Sequence, residues 1–105
     1  MERIAHVDAR QLCDWSEPAL KSVARGFHIL GEPVRLRLLE ALASGERTVG
    51  QLVVATRSSQ PNVSKHLRLL LNARMVERSK VGSSVYYSIT NKSSLQIIRM
   101  MRAAV

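Results

Sequence analysis

From Leu20 to Leu71 the apolar residues of this 105-residue chain keep helical spacing, between Met75 and Thr90 they alternate, and from Lys92 onward they return to helical spacing. Periods of 3.6 and 2 cannot share one element, so such a chain must pack several short helices around one small β-hairpin. The length predicts a single domain, and 46% hydrophobic residues supply a modest core without disulfides or metal. Only four residues are aromatic, so aliphatic side chains must do most of the packing.

The helix boundaries follow from capping chemistry. Met1 to Trp15 has weak periodicity and mixed charge and reads as an N-terminal arm or short extra helix, leaving 16–105 as the domain proper. Ser16 is a good N-cap with Pro18 in the first turn, and Leu20, Val23, Phe27 and Leu30 recur until Gly31. Pro33 opens a second helix with Val34, Leu38, Leu39 and Leu42 on its apolar face and Arg35, Arg37 and Glu40 pointing elsewhere, stopped by Ser44-Gly45. Thr48 caps a short third helix that holds Val49, Leu52 and Val53 inside and ends near Thr56-Arg57. After a tight connection at Ser58-Ser59, a fourth helix starts at Ser59 or Gln60, tolerates Pro61 in its first turn and buries Val63, Leu67, Leu70 and Leu71. Gly82-Ser83 joins the strands Met75 to Val81 and Ser84 to Thr90, with Tyr86 and Tyr87 on alternate faces, one toward the helices. The last helix, Lys92 to Val105, sets Leu95, Ile98 and Met101 on one stripe with Ile97 and Met100 beside it.

Charge divides the chain unevenly. Residues 1–46 carry six Lys or Arg against seven acids, and residues 47–105 carry ten against one, so the formal charge of +8 belongs to the second part. From Arg47 to Val76 there are five basic residues, Arg47, Arg57, Lys65, Arg68 and Arg74, and no acid. That field suits a polyanion, but composition alone leaves nucleic acid, an anionic membrane and a merely solvated basic surface open.

Order of elements narrows the choice. Two short helices joined by a tight turn, the second followed directly by a β-hairpin, make a winged helix-turn-helix: mainly α with a small two-stranded wing and a C-terminal helix. The stripe Val63, Leu67, Leu70 fixes the rotation of the fourth helix and leaves Gln60, Pro61, Ser64, Lys65 and Arg68 on the other side. Its first turns would enter the major groove of double-stranded DNA, with Gln60 and Asn62 offering paired donors and acceptors to base edges, Lys65 or Arg68 reaching guanine or phosphate, and Ser59 and Ser64 on phosphates. Arg78, Lys80 and Ser83 place cations and a small donor where a wing meets the sugar-phosphate backbone. His66 lies beside the buried stripe, which favours packing or an orienting hydrogen bond over metal ligation.

Other classes fit less well. One cysteine, three scattered histidines, no paired nucleophile and base and no Gly-rich phosphate loop argue against an enzyme. A membrane-surface or RNA-binding module would account for the charge, yet aromatic stacking positions are few and the last helix has little bulky apolar surface. A winged helix used only for protein contacts, or for non-specific nucleic-acid binding, remains the alternative. No apolar run approaches the roughly 18 residues that span a bilayer, and no signal core follows the N-terminus, so a cytoplasmic location is expected. Cys13 is the only cysteine, which rules out a disulfide within one subunit.

Three segments together resemble the ArsR/SmtB metalloregulatory winged-helix repressors, over roughly Phe27 to Ile98: Leu30-Gly31-Glu32-Pro33-Val34-Arg35-Leu36-Arg37-Leu38-Leu39, then Ser59-Gln60-Pro61-Asn62-Val63-Ser64-Lys65-His66-Leu67, and Val85-Tyr86-Tyr87-Ser88-Ile89. The resemblance implies a homodimer that binds a two-fold symmetric operator and represses transcription, with the first and last helices forming the interface. Leu20, Leu95, Ile98 and Met101 are the interface candidates. The family's metal sensors are missing here: its Cys-x-Cys position reads Thr48-Val49-Gly50-Gln51-Leu52, and Asn91 to Val105 contains no Asp, Glu, His or Cys. For metal there remain His6, Asp8, Cys13 and Asp14 of the N-terminal arm, with His28, a set that would have to assemble across a dimer, and no metal or cofactor is assigned. A redox response would need Cys13 to pair between subunits or with a small thiol, and the inducer is otherwise an unknown organic ligand, a partner protein or none.

Overall fold

A computed structural model of the chain describes residues 8–105. A single 3-10 turn at Ala9–Gln11, capped by Asp8, precedes α1 (Glu17–Leu30), α2 (Pro33–Ala41), β1 (Arg47–Thr48), α3 (Val49–Thr56), α4 (Gln60–Asn72), β2 (Val76–Val81), β3 (Ser84–Ile89) and α5 (Ser93–Ala104). Of the expected arm 1–15, residues 1–7 lie outside the described part.

The caps expected of Ser16 and Thr48 form, and Ser59 caps α4 as well. The Ser16 hydroxyl accepts from the Ala19 N–H at 3.3 Å, and the Ser59 hydroxyl accepts from the Asn62 N–H at 3.3 Å. Thr48 and Gln51 make a reciprocal capping box, Gln51 N–H to Thr48 Oγ1 and Thr48 N–H to Gln51 Oε1. Each satisfies backbone donors that the first turn of a helix cannot pair internally. α3 closes on Arg57 in the left-handed region (φ 56°), the bend that lets Ser58-Ser59 turn directly into α4. α2 ends at Ala41, earlier than Ser44-Gly45 suggests, because residues 42–44 form a turn closed by the Gly45 N–H on the Leu42 carbonyl.

The core is aliphatic. Leu38 and Leu39 of α2, Leu52 of α3, and Val63, Leu67 and Leu70 of α4 are fully enclosed, with Leu30, Leu42, Val76 and Leu95 closing the cluster. Burying a Leu or Val side chain contributes about 1.5–3 kcal/mol, so these ten residues are the main stabilising term. Leu71, Val49, Val53 and Tyr87 pack partly against them, making Tyr87 the tyrosine that faces the helices.

Three features differ from what spacing predicts. The hairpin has a third strand: β1 pairs antiparallel with β3, Arg47 opposite Tyr87 and Thr48 opposite Tyr86, giving the order β1-β3-β2. A two-residue strand has no period to read. Arg35 turns inward, only 7% exposed, because its side chain finds acceptors on α1 and α4 that sequence cannot show. Leu95, expected at a dimer interface, is 2% exposed and belongs to the monomer core, since the first turn of α5 lies down on it.

Candidate nucleic-acid interface

α4 is held by its stripe and offers what remains. Val63, His66, Leu67 and Leu70 are buried, while Ser59, Gln60, Pro61, Ser64, Lys65 and Arg68 are exposed and Asn62 is half-buried. Gln60, Ser64, Lys65 and Arg68 therefore share the outer side of the first turns, and half-buried Asn62 stands at its edge. Ser59 also caps the helix, and because its oxygen already accepts from Asn62, its O–H is the group left to donate.

The wing carries its cations on one side. Strand alternation sets Arg78 and Lys80 on the face of buried Val76 and sends Glu77, the one acid of the second part of the chain, to the opposite face with Ser79. Arg78 stands opposite Tyr87 and Lys80 opposite Val85, and both cations are exposed. Gly82 takes φ 62°, the left-handed conformation that a two-residue hairpin turn needs, and leaves Ser83 exposed at the tip. Arg47 is not free in the same way: its guanidinium donates to the Ser44 hydroxyl at 2.9 Å and the Glu46 carbonyl at 2.8 Å, tying down the loop before β1.

A buried polar group lies beneath α4. Arg35 Nη1 is 3.0 Å from His66 Nδ1, and Arg35 Nε donates to the Ile29 carbonyl at the end of α1. Glu32, the N-cap of α2, accepts from the Arg35 N–H at 3.1 Å, and its carboxylate lies 3.8 Å from His66 Nδ1. Burial holds the His66 pKa below its ordinary value; the Glu32 carboxylate opposes this, while Arg35 and Lys65 add to it. Packing or an orienting hydrogen bond is expected of His66, and it is both buried and bonded to Arg35, a partner that helix periodicity does not reveal.

The outer faces of α1 and α5 are apolar and open. Leu20 is 36% and Met101 59% exposed, Ile98 is half-buried, and Val23, Phe27, Ile97 and Met100 add exposed apolar surface on α1 and α5. Between these helices and α2 runs a groove of about 580 Å³ lined by Phe27, Leu36, Ile97, Ile98 and Met101, with Arg37, Glu40 and Arg102. Glu40 is engaged by Arg99 at 3.3 Å.

Of the ligand types in the N-terminal part, Asp8 pairs with Arg10, whose hydrogen bonds to the carboxylate lower its pKa, and Cys13 is exposed. His6 lies outside the described residues. Among the described residues no group of three metal-type ligands is brought together, and no helix is long and apolar enough to cross a membrane.

Known proteins share this arrangement. Residues 32–78, from the cap of α2 into the first strand of the wing, match the model of the bacterial regulatory proteins of the arsR family. The transcriptional repressor SmtB homolog of Synechocystis is 38% identical over 79 residues, 75% of this chain; the alignment spans 60% of that relative's length. The crystal structure of Rv0081 from Mycobacterium tuberculosis superposes with a TM-score of 0.75 at 31% identity, covering 85% of this chain and 90% of that one. A homodimeric winged helix-turn-helix DNA-binding domain from Mycobacterium bovis, known in solution, gives a TM-score of 0.73 at 27% identity over 96% and 89% of the two chains. These relatives are regulators rather than enzymes, and with its helix-turn-helix, wing and outer helices in the same order this chain belongs to the ArsR family of winged-helix transcriptional regulators.

Proposed function

We propose that the chain is a homodimeric transcriptional repressor that binds double-stranded operator DNA, with α4 in the major groove and the wing on the adjacent backbone. The observation that carries this reading is the outer side of α4: a rigidly seated helix start whose exposed residues are polar or basic, in a stretch with no acid from Arg47 to Val76. Gln60 and Asn62 reach base edges, Lys65 and Arg68 guanine or phosphate, Ser59 and Ser64 phosphates, and Arg78, Lys80 and Ser83 the backbone beside the wing. The M. bovis neighbour, a homodimeric DNA-binding domain, supports the same assembly for this chain. Leu20, Ile98 and Met101, with Phe27 and Ile97, form the dimer face, and Leu95 supports it from inside.

The two positions that match the family's metal sensors, at the start of α3 and on α5, hold no metal ligands, which speaks against release by metal at those positions. A thiol response through exposed Cys13 requires a bond between protomers or with a small thiol, and a Cys13→Ser variant with undiminished oxidant response would dispose of it.

Titrating a duplex that carries the promoter region upstream of the gene, against a shuffled duplex of equal length, tests the main proposal. The promoter duplex should bind more tightly, and Gln60→Ala or Asn62→Ala should lower that preference by about 1–3 kcal/mol each. Equal binding to both duplexes by the unaltered chain would refute sequence-specific recognition.

A further inference from the structure

The apolar stripe of α4 decides which side faces the core, but hydrophobic contact is non-directional and tolerates small rotations and slides. A base-reading helix needs more, because hydrogen bonds to base edges fail within a fraction of an ångström and a few tens of degrees. Among the described residues, one side-chain hydrogen bond ties α4 to the helices beneath it: Arg35 Nη1 to His66 Nδ1, at 3.0 Å and buried. A guanidinium has donors only, so Nδ1 must present its lone pair, the ring is neutral, and its proton sits on Nε2.

The guanidinium is itself immobilised. Its Nε is bound to the Ile29 carbonyl in the last turn of α1, and the backbone N–H of Arg35 to Glu32 at the start of α2. From the first turn of α2 this one planar group thus joins the end of α1 to the middle of α4, and its fixed fork gives the bond to His66 a single direction. His66 follows Lys65 directly and lies about one and two-thirds turns from Gln60, so a rotation of α4 that moved those side chains would break it.

We propose that Arg35 and His66 are the positioning pair of the DNA-reading helix: the bond between them sets the rotation and axial position at which α4 presents Gln60, Asn62 and Lys65. The inference rests on the DNA-binding reading above. Neither residue touches DNA. The same guanidinium, through Ile29, ties α4 to the helix that carries the dimer face, so the orientation of each reading helix is referred to the dimer axis.

The test measures the ratio of affinities for the promoter duplex and the shuffled duplex, by fluorescence anisotropy, for Arg35→Met, His66→Leu and the double variant, with thermal unfolding alongside. Replacing both buried partners by apolar side chains of similar size is close to neutral for stability, so the double variant should fold and melt near the unaltered chain. Its preference for the promoter duplex should nonetheless fall about tenfold or more, the loss of roughly one base contact. Binding to the shuffled duplex should stay within about twofold, because Lys65, Arg68, Arg78 and Lys80 are untouched. A double variant that recovers stability and full preference would overturn the positioning role and leave a packing one. So would variants whose binding to both duplexes falls in step with their stability. Should the unaltered chain not distinguish the duplexes, the DNA reading itself fails; a discriminating chain with an equally discriminating double variant defeats the positioning pair alone.

Discussion

Salt dependence gives the proposed docking a number. Each protomer exposes four cations where α4 and the wing would meet the backbone: Lys65, Arg68, Arg78 and Lys80. Arg47 is excluded, because its guanidinium is held by Ser44 and Glu46. A two-fold symmetric complex then neutralises about eight phosphates, and at about 0.9 counterions released per contact the logarithm of affinity should fall with the logarithm of salt at a slope of about −7. Raising salt from about 50 to 200 mM should cost some four orders of magnitude in affinity. Arg78→Gln with Lys80→Gln removes about four of these contacts from the dimer, so the slope should drop to about −4 and the loss over the same range to about two orders. Anisotropy titrations at several salt concentrations with the promoter duplex measure both slopes. A change of less than about one in the slope would show that the wing cations do not lie on phosphates. An unaltered slope near half the expected value would mean that one protomer reaches DNA alone, which would refute the symmetric complex.

Two further outcomes follow from the geometry. Met101→Glu puts an unpaired carboxylate on the exposed apolar side of α5 and should weaken the dimer by about 3 kcal/mol, more than a hundredfold in Kd, with unchanged far-UV circular dichroism; sedimentation showing an intact dimer would remove α5 from the interface. His66 titrates below its ordinary 6.5 when folded, through burial first, so between that lowered value and 6.5 the unfolded chain binds more protons. Stability is therefore complete above pH 6.5 and is lost as pH falls through the window below it; His66→Leu should flatten this part of a Tm-against-pH curve, and identical curves for the two proteins would contradict the buried neutral imidazole.

Much of the local structure that carries the candidate site was legible because it is built from short-range chemistry. Ser16, Thr48 and Ser59 announce helix starts within three residues of the groups they cap, and the Val63, Leu67, Leu70 stripe fixes one helix face by spacing alone. The same logic placed Gly82-Ser83 at a hairpin turn. It failed where a residue's fate depends on a distant partner. Spacing sets Arg35 away from the apolar face of α2 and says no more, because the Ile29 carbonyl and the His66 ring that draw it inward lie on other helices. Leu95 and Met101 belong to one stripe of α5, yet the first is covered and the second open, since only the start of that helix reaches the core.

By itself, then, the sequence determined the order and kind of the elements, the polar side of α4 and the concentration of positive charge from Arg47 onward, all properties of neighbours along the chain. Tertiary structure decided the rest: the added strand Arg47–Thr48, the assignment of Leu95 to the core and of Met101 to an open face, and the Arg35–His66 bond beneath α4. Spacing along a helix says which residues share a side, but which foreign group that side meets depends on how separate elements pack, and no local pattern encodes it.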